Sequence, residues 1–123
     1  MEKPDENLQV LNNEDPHEKR RLFDRAIQYG TWENLIKLFN EGMDIDQTDF
    51  DGRTALQLMS FRGNKAVVEP LLSRGANVNA VFMYQGRVPM SALDEAREAR
   101  KKEVEDLLLT HGAKTGTELQ PRT

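Results

Sequence analysis

Asp49-Phe50-Asp51-Gly52-Arg53-Thr54-Ala55-Leu56, followed by Gly63, Val67-Val68, Leu71-Leu72 and Gly75-Ala76-Asn77-Val78-Asn79-Ala80, is the stretch from which the fold is read. It begins with a polar turn and a short helix opening at Thr54, stopped by a glycine; a second helix comes next, stopped by another. The pattern recurs on both sides. Gly30 precedes Gly63 by 33 positions, Gly42 precedes Gly75 by the same 33, and Gly112-Ala113-Lys114 echoes Gly75-Ala76-Asn77 at a spacing of 37. Self-similarity at such a period marks an array of supersecondary units, none of which buries its apolar face alone.

The quoted stretch resembles one full ankyrin repeat, a turn and two short antiparallel helices in about 33 residues. The same register takes in Leu22, Phe23, Ala26, Leu35, Leu38 and Phe39 upstream, and Ser91-Ala92-Leu93, Ala96, Val104 and Leu107-Leu108-Leu109 downstream. The resemblance implies an all-α repeat fold: an ankyrin solenoid of three helix-turn-helix repeats with β-hairpin fingers, at about 15–47, 48–80 and 81–116. An acidic N-terminal tail at 1–14 and a C-terminal tail at 117–123 flank them. Asp15, Thr31 and Asn64 are placed as N-caps. Two positions strain the scheme. Pro70 falls inside the second helix of the middle repeat and predicts a kink or a shortened helix near Glu69. Arg100 stands where the middle repeat has Gly63, so its turn lacks the residue that enters a left-handed conformation freely.

Composition narrows the function. Hydrophobic residues make up 37% and charged residues 31% of the chain, a balance that suits a stack burying one stripe per helix. A net charge of −4 argues against nucleic acid or an anionic membrane as the main partner. No run of 18 apolar residues is present, so membrane insertion is not expected. There is no cysteine, and hence no disulfide, thiol catalysis or thiolate metal site. Cytoplasm is the default location, and a periplasmic or secreted mature form is compatible with removal of a signal peptide.

No residue constellation points to catalysis. His17 and His111 fall in the first and last helices of the array, and Gly112-Ala113-Lys114-Thr115 lacks the upstream glycine and strand of a phosphate loop. The acidic run Asp44 to Gly52 breaks the ligand alternation of a calcium loop, and no terminal glutamate follows. Asp and Asn there fit tight turns stabilised by their own side chains. No cofactor and no metal are expected, and the chain is not expected to be an enzyme.

The segment Ala80-Val81-Phe82-Met83-Tyr84-Gln85-Gly86-Arg87-Val88-Pro89-Met90 is longer than its counterpart. Asn79 to Ser91 spans twelve positions where Asp46 to Thr54 spans eight. It predicts a hairpin around Gln85-Gly86, with Arg87 its one charge. Phe82, Met83 and Tyr84 are expected to project as an apolar protrusion that enters a partner's pocket. The alternative has them folded back over the third repeat. The resemblance further implies binding through the fingers and the inner face of the first helices: Phe50, Asp51 and Arg53 in one finger, Val81 opening the next, and Gln28, Tyr29, Phe61 and Arg62 at helix ends. It also implies a partner that is another protein, with the chain a monomer when free. The expected function is an inhibitor or immunity-type protein that masks a partner enzyme, with a general adaptor as the alternative. Because the family's Thr-Pro-Leu-His tetrapeptide appears only as Thr54-Ala55-Leu56-Gln57, weakened bonding between fingers is expected.

Overall fold

The computed structural model describes residues 15–29 and 31–120. Gly30 and the tail expected at 1–14 lie outside them, as do residues 121–123. Among the described residues the chain is mostly helical: α1 (Pro16–Tyr29), α2 (Trp32–Asn40), α3 (Ala55–Arg62), α4 (Lys65–Ser73), β1 (Phe82–Tyr84), β2 (Val88–Met90), α5 (Ala92–Glu98), α6 (Lys102–Thr110) and α7 (Gly116–Leu119). The first six helices form three pairs, α1–α2, α3–α4 and α5–α6. Between pairs, α3 packs on α5 and α4 on α6.

Side-chain caps set the starts of α1, α2, α3, α5 and α7. The Asp15 carboxylate accepts the His17 N–H at 3.0 Å, with Pro16 at the first helical position, where its absent N–H matters least. Thr54 and Ser91 each close a capping box, with Gln57 and Asp94 as the reciprocal partners. Asn64 departs from expectation, since its side chain makes no capping bond. Once formed, the helices bury narrow apolar stripes: Phe23 and Leu35 in the first pair, Leu56 and Leu71 in the second, Leu93 and Leu108 in the third. All six belong to one continuous cluster.

Two expectations are corrected here. Of the two outcomes expected at Pro70, the shortened helix is not found: α4 continues to Ser73, and the Arg74 N–H donates to the Pro70 carbonyl at 3.0 Å. Proline removes one backbone bond, but the burial of Val67, Val68 and Leu71 on either side holds the helix together. The supposed polar tail after Gly116 begins with a helical turn, α7, whose first residue donates its N–H to Asp94 Oδ2 at 2.6 Å. A Cβ on Gly116 would lie 2.0 Å from the Pro89 carbonyl oxygen, so glycine is what lets α7 sit on β2.

Bonding between successive turns is intact despite the altered tetrapeptide. Gln57 accepts from the Thr54 N–H at 2.7 Å and donates to the Ala80 carbonyl at 2.8 Å, reaching 23 residues along the chain. In the next pair Ser91 Oγ donates to the Lys114 carbonyl at 2.6 Å. A long amide thus does what the family's histidine would have done.

Arg100 carries φ of +58°, as the missing glycine requires, beside Gly63 at +72° in the preceding pair. A non-glycine residue in that region costs about 1–2 kcal/mol, of which glycine gives back ~0.5–1 kcal/mol through its looser unfolded chain. Arg100→Gly is therefore expected to stabilise the protein by about 0.5–1 kcal/mol, read as a rise in melting temperature. A drop would mean that the Arg100 side chain contributes packing.

Candidate protein-binding surface

The two inter-pair loops stand side by side. In the first, Thr48 and Thr54 form an antiparallel bridge, and Asp49 Oδ1 accepts the N–H groups of Asp51 and Arg53, both at 2.9 Å. The carboxylates of the acidic run thus serve backbone amides: Asp44 accepts from Asp46 N–H and Asp46 from Asn77 N–H. In the second loop β1 and β2 pair antiparallel, Phe82 with Met90, Met83 with Pro89 and Tyr84 with Val88. The Arg87 N–H donates to the Tyr84 carbonyl across Gln85 and Gly86, whose φ values are +52° and +71°. Positive φ at both central positions is the type I′ geometry that suits a hairpin, reached here with Gln in a place usually held by Asn.

The hairpin turns one aromatic inward, and this overturns part of the sequence reading. Phe82 is 6% exposed and is not a projecting contact residue. The Arg53 guanidinium lies over its ring at 4.7 Å, and a Cβ added to Gly52 would lie 3.8 Å from Phe82 Cβ. Neither did it fold back into the main core, because Phe82 is absent from the continuous apolar cluster. It is buried between the two loops. Its neighbours Met83, Tyr84 and Val88 are exposed at 44%, 43% and 41%, and Phe50 and Phe61 at 59% and 48%.

All of these but Val88 line two adjoining grooves. One, of about 510 Å³, lies between the loops and is lined by Phe50, Asp51, Arg53, Phe82, Met83 and Tyr84. The other, of about 330 Å³, is bounded by Arg53, Phe61, Tyr84, Met90, Glu95 and Glu98. Arg53 and Tyr84 belong to both. Val81 is half-buried ahead of β1, and Arg87 is exposed in the hairpin turn. Arg62 does not join this surface. Its guanidinium donates to the Ile27 carbonyl at 3.4 Å and lines a separate hollow with Trp32 between the first two pairs. Of Tyr29, only its place at the end of α1 is described.

Glu95 is the residue that sequence reasoning missed. It is 3% exposed and lies on the face of α5 shared with Ala92 and Ala96, where the register of the preceding pair has Leu58. That substitution of a carboxylate for an apolar side chain was the available signal. Glu95 Oε1 makes no hydrogen bond, and the Arg53 guanidinium stands 3.5 Å away. Burial pushes the Glu95 carboxyl above the ordinary range; Arg53 opposes this, while Asp94 and Glu98 add to the rise. A raised folded-state value means that the native chain takes up this proton more readily than the unfolded chain does. Stability therefore falls as pH rises from the ordinary value of 4.5 through the raised one. Glu95→Gln is expected to melt higher than the wild type at neutral pH, with the gap narrowing as pH is lowered towards 4.5. A lower melting temperature at neutral pH would show that the Arg53 pairing outweighs desolvation.

Residues 51–81 match the family model described as ankyrin repeat. Over 96 residues the chain is 32% identical to a probable E3 ubiquitin-protein ligase, XBOS34, of Oryza sativa subsp. japonica, covering 77% of this chain and 18% of that protein. It is 37% identical over 78 residues to the serine/threonine-protein kinase VIK of Arabidopsis thaliana, covering 60% of this chain and 17% of the kinase. It is also 31% identical over 96 residues to a putative E3 ubiquitin-protein ligase, XBAT35, of Arabidopsis thaliana, covering 77% of this chain and 20% of the ligase. The chain thus spans about a fifth of the length of these relatives.

Proposed function

The chain belongs to the ankyrin-repeat family, and from that premise we propose that it is a non-enzymatic protein-binding module of three stacked repeats, one for each helix pair. The observation that carries this reading is the cluster of exposed apolar side chains, Phe50, Phe61, Met83 and Tyr84, around two adjoining grooves. Scattered exposed apolar residues need no explanation, but a contiguous group with aromatic members is what an interface core is made of. The partner is another protein, contacted by the two fingers and the α3–α5 face.

Two narrower forms differ in the consequence of binding. A masking inhibitor would occlude a partner enzyme with the hairpin at 82–90. An adaptor would hold a partner beside something else and leave its activity alone. The relatives favour the adaptor: in a ligase or a kinase the matched segment is about a fifth of a much longer chain, and it fits a recognition module working for another part. Replacing Met83 and Tyr84 together by Ser is expected to leave melting nearly unchanged and to weaken binding of a captured partner by at least ~2 kcal/mol, roughly 30-fold. Unchanged affinity would remove the hairpin from the interface. Assaying the captured partner with and without the chain then separates inhibition from recruitment.

A further inference from the structure

We infer that the groove between Phe61, Tyr84 and Met90 is a seat for an arginine side chain of the protein partner, with Glu95 and Glu98 as its anionic end. This rests on the protein-binding reading above and names the chemistry recognised at one point of that surface. Three features converge on it. The walls are apolar and aromatic, with Phe61 and Tyr84 each nearly half exposed, and the space of about 330 Å³ admits a side chain. One end is lined by the almost fully buried Glu95 carboxylate, whose Oε1 makes no hydrogen bond and faces Arg53 at 3.5 Å. Charge is left over: Arg53 is one guanidinium facing two carboxylates, and Glu98 lies one turn from Glu95 on the same face of α5.

Arg53 does not complete the pairing. It stands 3.5 Å from Glu95, beyond a normal charge-assisted bond, its Nε is itself unbonded, and its Cζ lies over the Phe82 ring. The fold does not require an acid here, since the preceding pair has Leu58 in the equivalent position. A buried group that works against stability and stays incompletely satisfied is the mark of a site built for something outside the chain. Arginine suits it better than lysine. A planar guanidinium stacks on aromatic rings and presents a fork of N–H donors, whereas an ammonium is a hydrated point charge.

The test is titration of the 15N-labelled full chain with Nα-acetyl-arginine amide, Nα-acetyl-lysine amide and Nα-acetyl-norleucine amide, monitored by amide chemical shifts. Arginine amide is expected to shift the amides around Phe61, Tyr84, Glu95 and Glu98 in a saturable way, with affinity in the millimolar range for so small a fragment. Lysine amide should bind more weakly and norleucine amide should leave these signals in place. Glu95→Gln, which is expected to fold at least as well as the wild type, should weaken arginine binding at least about tenfold. Three results would overturn the seat: no saturable shift with arginine amide, an equal or larger response to lysine or norleucine amide, or full binding by Glu95→Gln. If any of these appears while the Met83 and Tyr84 variant still loses a captured partner, only the arginine seat falls. If that variant keeps its partner, the hairpin's part in the wider reading falls on separate grounds.

Discussion

A chain truncated after Asn79 is expected to lose cooperative melting and most of its helical signal, not to persist as two folded helix pairs. The reason lies at the boundary that the cut exposes. α3 packs on α5 and α4 on α6, so removing the third pair uncovers part of a continuous core in which Leu56, Val68 and Leu71 are essentially inaccessible to water in the whole chain. Each such side chain contributes about 1.5–3 kcal/mol when fully buried. Losing even half of that cover at three positions takes a large share of the ~5–15 kcal/mol that holds an ordinary domain together. The cut also leaves Gln57 without the Ala80 carbonyl, orphaning a donor in the buried capping box of α3. Circular dichroism against temperature decides it. A truncated chain that keeps its helicity and melts sharply would show that the first two pairs are an independent unit.

The parts of the fold that were legible in the sequence were those set by local backbone chemistry. Glycine at Gly42, Gly63 and Gly75 marks helix ends, and all three carry positive φ. Asp15 and Thr31 cap the helices they were expected to open, Asn64 does not, and the absence of glycine at Arg100 correctly signals a strained turn. What the sequence concealed depends on direction and on long-range partners. Phe82-Met83-Tyr84 reads as apolar throughout, and alternation puts Phe82 and Tyr84 on one face with Met83 opposite, but Phe82 lies between the loops and is buried while Tyr84, paired with Val88 beside the turn, is exposed. Nothing in three consecutive apolar residues says which one faces inward. Glu95 was passed over because a glutamate in a charged helix looks like a solvated one; only its alignment with Leu58 betrays its burial. The docking of α7 was hidden for a related reason: it depends on Gly116 meeting Pro89 and Asp94, contacts that no local pattern encodes.

Phe82→Ala and Tyr84→Ala, two positions apart on one strand, are expected to fail in opposite ways. Removing a buried phenylalanine ring costs about 3–5 kcal/mol in a well-packed core. The lower end is expected here, near 3 kcal/mol, because Phe82 lies between the loops, outside the main apolar cluster, where the surroundings can partly close the gap. For a chain of this size that loss corresponds to a fall in melting temperature of roughly 10 °C. Some of it comes through Arg53, whose guanidinium loses the ring beneath it and with that its fixed place 3.5 Å from Glu95. Tyr84 is 43% exposed, and truncating it should change stability by no more than about 0.5 kcal/mol. Its effect should appear instead in affinity for a captured protein partner, at ~2 kcal/mol or more if the ring fills a pocket there. Melting and binding measured on both variants give four numbers, and the expected pattern is a crossed one. If Phe82→Ala melts like the wild type and binding alone is lost, the ring leaves its place under Arg53 and enters the partner. The hairpin would then be a moving probe, and the fixed surface argued from Phe50, Met83 and Tyr84 would be the wrong description of it.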